Sequence, residues 1–275
     1  MRMLAATILI TLAMVVHPAD RAAAQEPVDL ELVLAVDISR SMDHGEQLMQ
    51  RQGYAEAFRS QEVVEAITGG GYGRIAVTYM EWAGVGTDRV VIPWTLIDSR
   101  ESSLRFADLL EQQQPLRLSR TSISHALVSA GKLMGTSGYR PLRQVIDVSG
   151  DGPNNQGSPV AEVRDDIVSR GVVINGLPLM VRLSTWGFGD IEKLDEYYFD
   201  CVVGGTGSFV IPVYSWEEFP KAVRRKLVLE IAGETPRLLR ASEETGALDD
   251  PARPRSDCMI GEKVWERRMR DGEWR

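Results

Sequence analysis

LELVLAVDISRSMD, residues 30–43, is the stretch that decides the fold. Leu30 to Val36 is short, aliphatic and nearly unbroken, as expected of a strand buried on both faces of a parallel sheet. Asp37, Ser39 and Ser41 follow at alternate positions. In open α/β sheets ligands bind beyond the carboxyl ends of the strands, which is where this D-x-S-x-S group falls. One carboxylate and two hydroxyls are hard oxygen donors, suited to Mg²⁺ and poorly suited to a soft metal. The plainer reading is a turn that caps the next helix, and Asp43 with Glu46 does fit a capping box. An EF-hand loop is excluded. Counted from Asp37, its sixth position holds Met42 where Gly is needed, and its twelfth holds Leu48 in place of Glu.

Working outward, residues 1–24 read as an export leader. Arg2 gives a positive start, Met3 to Val16 an apolar stretch, and Ala22, Ala23 and Ala24 a small-residue cleavage site. That stretch is shorter than the ~20 residues of a membrane span, and no later segment is long and apolar enough. The expected product is exported, periplasmic or secreted, without a transmembrane segment. The formal charge of the 275 residues is −8. Removing Arg2, Arg21 and Asp20 with the leader makes it −9, which argues against nucleic acid and anionic membranes as partners. Cys201 and Cys258 are the two cysteines. Two unrelated thiols are the plainer reading, but parity in an oxidising compartment favours a disulfide between them.

Periodicity lays out the remaining elements. A helix is expected over 43–60, with Leu48, Met49, Tyr54, Ala55 and Phe58 as its apolar positions, and a Gly-rich turn at 69–73. Arg74–Trp82 and Asp88–Trp94 form a hairpin, placing one antiparallel edge strand on an otherwise parallel sheet. Residues 101–113 form a helix, with Leu104, Phe106, Leu109 and Leu110 apolar, closed by Pro115. A second helix starts near Thr121, Arg143–Val148 is a buried strand, 159–170 a helix, and Val172–Leu179 a strand. Ile191–Tyr198 reads as helix, Ser208–Val213 as a last strand and Trp216–Ile231 as a last helix. This alternation means βαβ units in a doubly wound, three-layer α/β sandwich over residues 28–232. Residues 233–275 read as a linker, with Pro236, Pro251 and Pro254, then a tail carrying Trp265 and Trp274 that docks as a strap.

Two further polar groups fall on the same edge. Thr121, in SRTSISHAL, opens a helix, and Asp151, in VIDVSGDGPNN, follows a strand. D-x-S-x-S, then a helix-opening Thr, then a strand ending in Asp-Gly, in this order, resembles a von Willebrand factor A (VWA) domain with a metal ion-dependent adhesion site. The resemblance implies that Ser39, Ser41 and Thr121 offer hydroxyls to Mg²⁺ (or Mn²⁺), with Asp37 and Asp151 acting mostly through water. It further implies a protein partner whose Asp or Glu carboxylate completes the shell. Two departures stand out: Ser119 and Arg120 precede Thr121 where many members have glycines, and Gly150 precedes Asp151 where a hydroxyl is usual. Asp147 is a rival to Asp151 but lies within the strand. FDCVVGGTGSFVIPV (199–213) and RRKLVLEIAG (224–233) resemble a family of exported bacterial A-type proteins known only as a domain of unknown function.

Met42, His44, Asn154, Asn155 and Gln156 are the expected partner-facing rim. An enzyme is the weaker expectation. The chain has no G-x-S-x-G elbow, Walker A loop, G-x-G-x-x-G after the first strand, or H-E-x-x-H. Outside the leader only His44 and His125 could serve a Ser-His-Asp triad. Each is also simply a polar residue at a helix start. A metal-assisted hydrolase of phosphate or ester substrates is the alternative, and a structural module with a vestigial loop is a third reading.

Overall fold

Pro27–Asp37 forms strand β1, buried at every position after Pro27. The chain continues through α1 (His44–Arg59), α2 (Gln61–Thr68), β2 (Ile75–Trp82), β3 (Arg89–Ile97), α3 (Arg100–Gln112) and α4 (Ile123–Leu133). It then forms β4 (Arg140–Gly150), α5 (Val160–Ser169), β5 (Val173–Pro178), α6 (Leu194–Tyr197), α7 (Phe219–Ala232) and α8 (Ile260–Asp271). This computed structural model describes residues 25–114, 116–181, 191–233 and 253–272. The expected leader at 1–24, Pro115, the linker residues Pro236 and Pro251, and Trp274 lie outside the described residues.

β1 is the middle strand of a five-stranded sheet in the order β3-β2-β1-β4-β5. It runs parallel to β2 and β4, β5 runs parallel to β4, and β3 is antiparallel to β2 at the edge. Both faces of β1 are covered, which is why its sequence reads as an unbroken apolar run. Leu30, Leu32 and Leu34 pack with Tyr54 and Phe58 of α1, Phe106 of α3 and Phe219 of α7. Val33 and Ala35 point the other way, into Ile123 and Leu127 of α4, Ile167 of α5 and Tyr198. Glu31 interrupts this run without being orphaned. Its carboxylate accepts from the Gly135 amide at 3.0 Å and from Gln144 Nε2 at 2.5 Å.

Several expectations are corrected. Residues 61–68 form a separate helix because Ser60 ends α1 in an extended conformation, then caps α2 through Val63 N–H. Leu48, Met49 and Leu109 are exposed, so the expected apolar faces of α1 and α3 are narrower than their sequences suggest. The helix opening near Thr121 begins at Ile123, with Ser122 as its N-cap, and leaves Thr121 in the preceding loop. Ser208–Val213 is not a regular strand. It makes only isolated parallel bridges to the β5 edge, Gly176 with Val210 and Leu179 with Val213. Pro212 has no amide to give a ladder, and Gly205 and Gly207 turn the chain with positive φ. The helix expected over Ile191–Tyr198 shortens to α6 and continues as a π-helical turn over Tyr198–Val202. The tail docks as a helix, α8, and Cys201 and Cys258 are joined, as parity suggested.

Under α7 the core holds charge. Lys226 Nζ lies 2.5 Å from Glu230 Oε1 and 2.7 Å from Asp147 Oδ1, all three side chains being inaccessible to solvent. Asn175 Nδ2 donates to the same Glu230 oxygen at 2.9 Å. Burial, opposed in part by Lys226, pushes the Glu230 carboxyl up to about 7. Between about 4.5, its ordinary value, and about 7 the folded state therefore holds a proton that the unfolded state has released. This contribution weakens the fold as pH rises through that window. Glu230→Gln is neutral throughout. In denaturant titrations its stability relative to wild type should be greater at about pH 8 than at about pH 5. An equal difference at both would contradict this.

Candidate metal centre

Parallel pairing sets the centre. Val36 of β1 is in register with Ser149 of β4, so Asp37, one residue on, and Asp151, just past the end of β4, emerge close together at the carboxyl edge. The loop after Asp37 is then bound on its other flank. Leu118 N–H donates to Ile38 O at 3.1 Å, and Ser122 N–H to Ala83 O, beyond β2, at 2.7 Å. Three segments far apart in sequence thus share one edge.

Within that edge four of the five expected ligands form a connected chain. Asp37 Oδ1 accepts from the Ser39 amide at 2.7 Å. The hydroxyls of Ser39 and Ser41 are 2.8 Å apart, and Ser41 Oγ donates to Asp151 Oδ1 at 2.7 Å. Thr121 is buried and joined to the group through its backbone. Its N–H donates to Asn155 Oδ1 at 3.0 Å, and its carbonyl accepts from Asn155 N–H at 2.9 Å. Asp147, the rival, faces Lys226 in the core.

Negative charge is concentrated and partly desolvated at this edge. Asp37 is fully buried, and its Oδ2 meets no donor in hydrogen-bond geometry. Burial first, and then the Asp151 carboxylate, push the Asp37 carboxyl well above its usual range, against a partial offset from the Ser39 and Asp151 amides. Two carboxylates and three hydroxyls match a hard divalent ion in charge and donor type. No cluster of three or more His, Cys, Asp or Glu able to hold a metal occurs among the described residues.

Both departures from the VWA pattern have local causes. A Cβ on Gly150 would lie 2.8 Å from the Tyr198 hydroxyl and 3.0 Å from Asp37 Oδ2, so no side chain fits there. Arg120, where glycine is common, does adopt the left-handed conformation, with φ 75°. Its guanidinium stacks on the Trp265 ring of α8 at 4.1 Å.

The rim differs from expectation. Met42 is 2 % exposed and Asn154 0 %, so neither offers surface to a partner. Met42 turns into the core under α1. Asn154 is spent on internal bonds, accepting from Ser124 N–H and donating to Ser158 O and Glu262. His44 is exposed, and Asn155 and Gln156 are partly so. Residues that the sequence did not single out hold the frame. Arg117 donates to Met42 O at 2.9 Å and Arg40 O at 2.7 Å, tying the Thr121 loop to the Asp37 loop. Buried Glu81, near the end of β2, pairs with Arg51 and Arg89, which in turn donate to the carbonyls of Gln113 and Gln114. The first half of α1 turns polar groups toward the centre: Gln47 to Ile38 O and Gln50 to Ser149 Oγ. His125 is engaged with Asp88 at 2.6 Å.

Residues 27–235 match the family described as "Protein of unknown function (DUF1194)". The chain belongs to that family. None of the curated proteins matches it. Among solved structures, this DUF1194 chain is similar to proximal thread matrix protein 1 from the mussel byssus, at TM-score 0.55 and 15 % identity, covering 76 % of this chain and 49 % of that one. One structure of that mussel protein carries a zinc-occupied MIDAS motif. A von Willebrand factor type A protein from Catenulispora acidiphila matches at 0.53 and 14 %, covering 74 % and 43 %. The pilus adhesin SpaC from Lactobacillus rhamnosus GG matches at 0.53 and 10 %, covering 76 % and 31 %. The DUF1194 chain thus spans about half, or less, of the length of these proteins, and the likeness establishes a VWA-type fold.

The buried carboxylate makes a prediction about stability. Asp37→Asn keeps an acceptor for the Ser39 amide and removes the charge. In EDTA at about pH 8 it should raise the melting temperature, because burial beside Asp151 disfavours the charged carboxylate that the amide replaces. A lower melting temperature for the variant under those conditions would mean that the carboxylate is already satisfied.

Proposed function

We propose that this protein is a metal-dependent protein-binding module of the adhesion or scaffold kind. In this reading Ser39, Ser41 and Thr121 hold Mg²⁺ or Mn²⁺ by their hydroxyls, while Asp37 and Asp151 hold it mostly through water. The bound ion supplies an electrophilic position that a partner's Asp or Glu side chain can occupy. Asp37 and Asp151 balance the ion's charge. The neutral hydroxyls leave it able to attract a further carboxylate. Arg40 and Arg117 flank the group and favour approach of an acidic segment.

The observation that carries the reading is the buried Asp37 carboxylate with an unpartnered oxygen, beside Asp151 and two hydroxyls. The zinc-occupied motif of the mussel protein supports metal binding by this fold. The disulfide supports export, since such bonds persist in oxidising compartments. No helix among the described residues is long and apolar enough to cross a membrane. Residues 1–24 are read as the leader, and 28–232 as the binding domain.

A ligand that binds only the folded state stabilises it by about 2.7 kcal/mol at a hundredfold excess over Kd. Saturating Mg²⁺ or Mn²⁺ should therefore raise the melting temperature of the wild type and do much less for Asp37→Ala or Asp151→Ala. Equal shifts in all three proteins, or none in any, would refute the reading.

A further inference from the structure

The tail after residue 252 is built into the flank of this same centre. Its anchor is far from the sheet edge in sequence but firm. Cys258 is bonded to Cys201, and Arg253 pairs with Asp200 at 2.7 Å and Glu196 at 3.0 Å. Ser256 N–H donates to Asp200 Oδ2 at 2.7 Å. These contacts fix where α8 begins, against α6 and the π-helical turn.

From that anchor α8 reaches two of the three loops that carry the candidate ligands. Gly261 lies against the Asn154 carbonyl so closely that a Cβ would sit 2.0 Å from its oxygen. Glu262 accepts from Asn154 Nδ2 at 2.6 Å. Trp265, one turn on, stacks under the Arg120 guanidinium. Asn154 stands three residues after Asp151, and Arg120 immediately precedes Thr121. The two loops are themselves joined by the paired Thr121–Asn155 hydrogen bonds. Arg120 is the one non-glycine residue with positive φ among those described, a conformation that a bulky side chain adopts only when its surroundings hold it. Its stacking partner, Trp265, comes from the tail.

We infer that α8 sets the geometry of the metal centre, with Gly261, Glu262 and Trp265 as positioning residues acting through Asn154 and Arg120 on Asp151 and Thr121. This rests on the metal-binding reading above. Groups that orient ligands from behind commonly change metal affinity 10- to 100-fold when removed. The Cys201–Cys258 bond is then the tether that keeps α8 in register with the loops, so its reduction acts on the same centre.

The test uses exported, oxidised protein with its tail intact and Mn²⁺, followed by electron paramagnetic resonance, together with amide hydrogen exchange. Trp265→Ala should weaken Mn²⁺ binding by about tenfold, and Trp265→Phe, which keeps a ring under Arg120, should restore most of it. Exchange should rise at residues 118–122 and 152–156 in Trp265→Ala, and in wild type after disulfide reduction, while β1 stays protected. A purely structural role would lower the melting temperature of Trp265→Ala but leave Mn²⁺ affinity and loop exchange as in wild type, and that result would overturn the inference. If the wild type itself binds no Mn²⁺, the metal-binding reading fails and this inference with it. Loop exchange would still show separately whether the tail holds the loops.

Discussion

The arrangement depends on the parallel pairing of β1 with β4, which brings two carboxylates out at neighbouring strand ends, one of them wholly buried. Such a pair disfavours its own ionised state unless positive charge is supplied. Around the buried carboxylate the described residues supply hydroxyls, amides and a phenol, while the flanking guanidinium of Arg117 is turned onto the carbonyls of Arg40 and Met42. The buried lysine Lys226 is committed to Asp147 and Glu230. Gly150 is where it is because the Asp37 carboxylate and Tyr198 leave no room beside it. Shape and charge at the edge are thus both set by the buried Asp37 carboxylate.

Holding that edge takes more structure than making it. The loops carrying Ser39, Thr121 and Asp151 have few ladder bonds of their own, so side chains supply the missing partners. Arg117 satisfies carbonyls at 40 and 42, Arg51 and Arg89 those at 113 and 114, and Asn154 and Asn155 the amides of Ser124 and Thr121. Buried polar networks of this kind are costly when incomplete and rigid when satisfied. Rigidity is what a sparse metal shell requires, since Mg²⁺ tolerates little departure from octahedral geometry.

What was legible in the sequence was local or combinatorial. β1 announced itself because both its faces are buried, so no polar alternation intrudes. The Asp43–Glu46 capping box is a four-residue pattern, and it is present as read. The hairpin of β2 and β3 and the Cys201–Cys258 pair also followed from near-neighbour patterns and parity. Long-range structure decided the rest. Ser60 reads as one more helical residue until its double capping role is seen. Ser208–Val213 has the composition of a strand, but its proline and flanking glycines prevent a ladder. Met42 and Asn154 looked like rim residues by position, yet one faces the core and the other is consumed by partners at 124, 158 and 262. The Arg51–Glu81–Arg89 group and the α8 contacts left no local signal, because each joins residues brought together only by the fold. An arginine before Thr121, where the VWA pattern favours glycine, was the one clue that something unusual supports that loop.

The central claim is that Asp37, Ser39, Ser41, Thr121 and Asp151 together bind one hard divalent ion. Calorimetric titration of the metal-free protein with Mn²⁺ tests it most directly. The expected result is one ion per chain, competed by Mg²⁺ and lost in Asp37→Asn, whose amide oxygen can still accept from the Ser39 amide. No binding at millimolar Mn²⁺, or unchanged binding in Asp37→Asn, would contradict the claim.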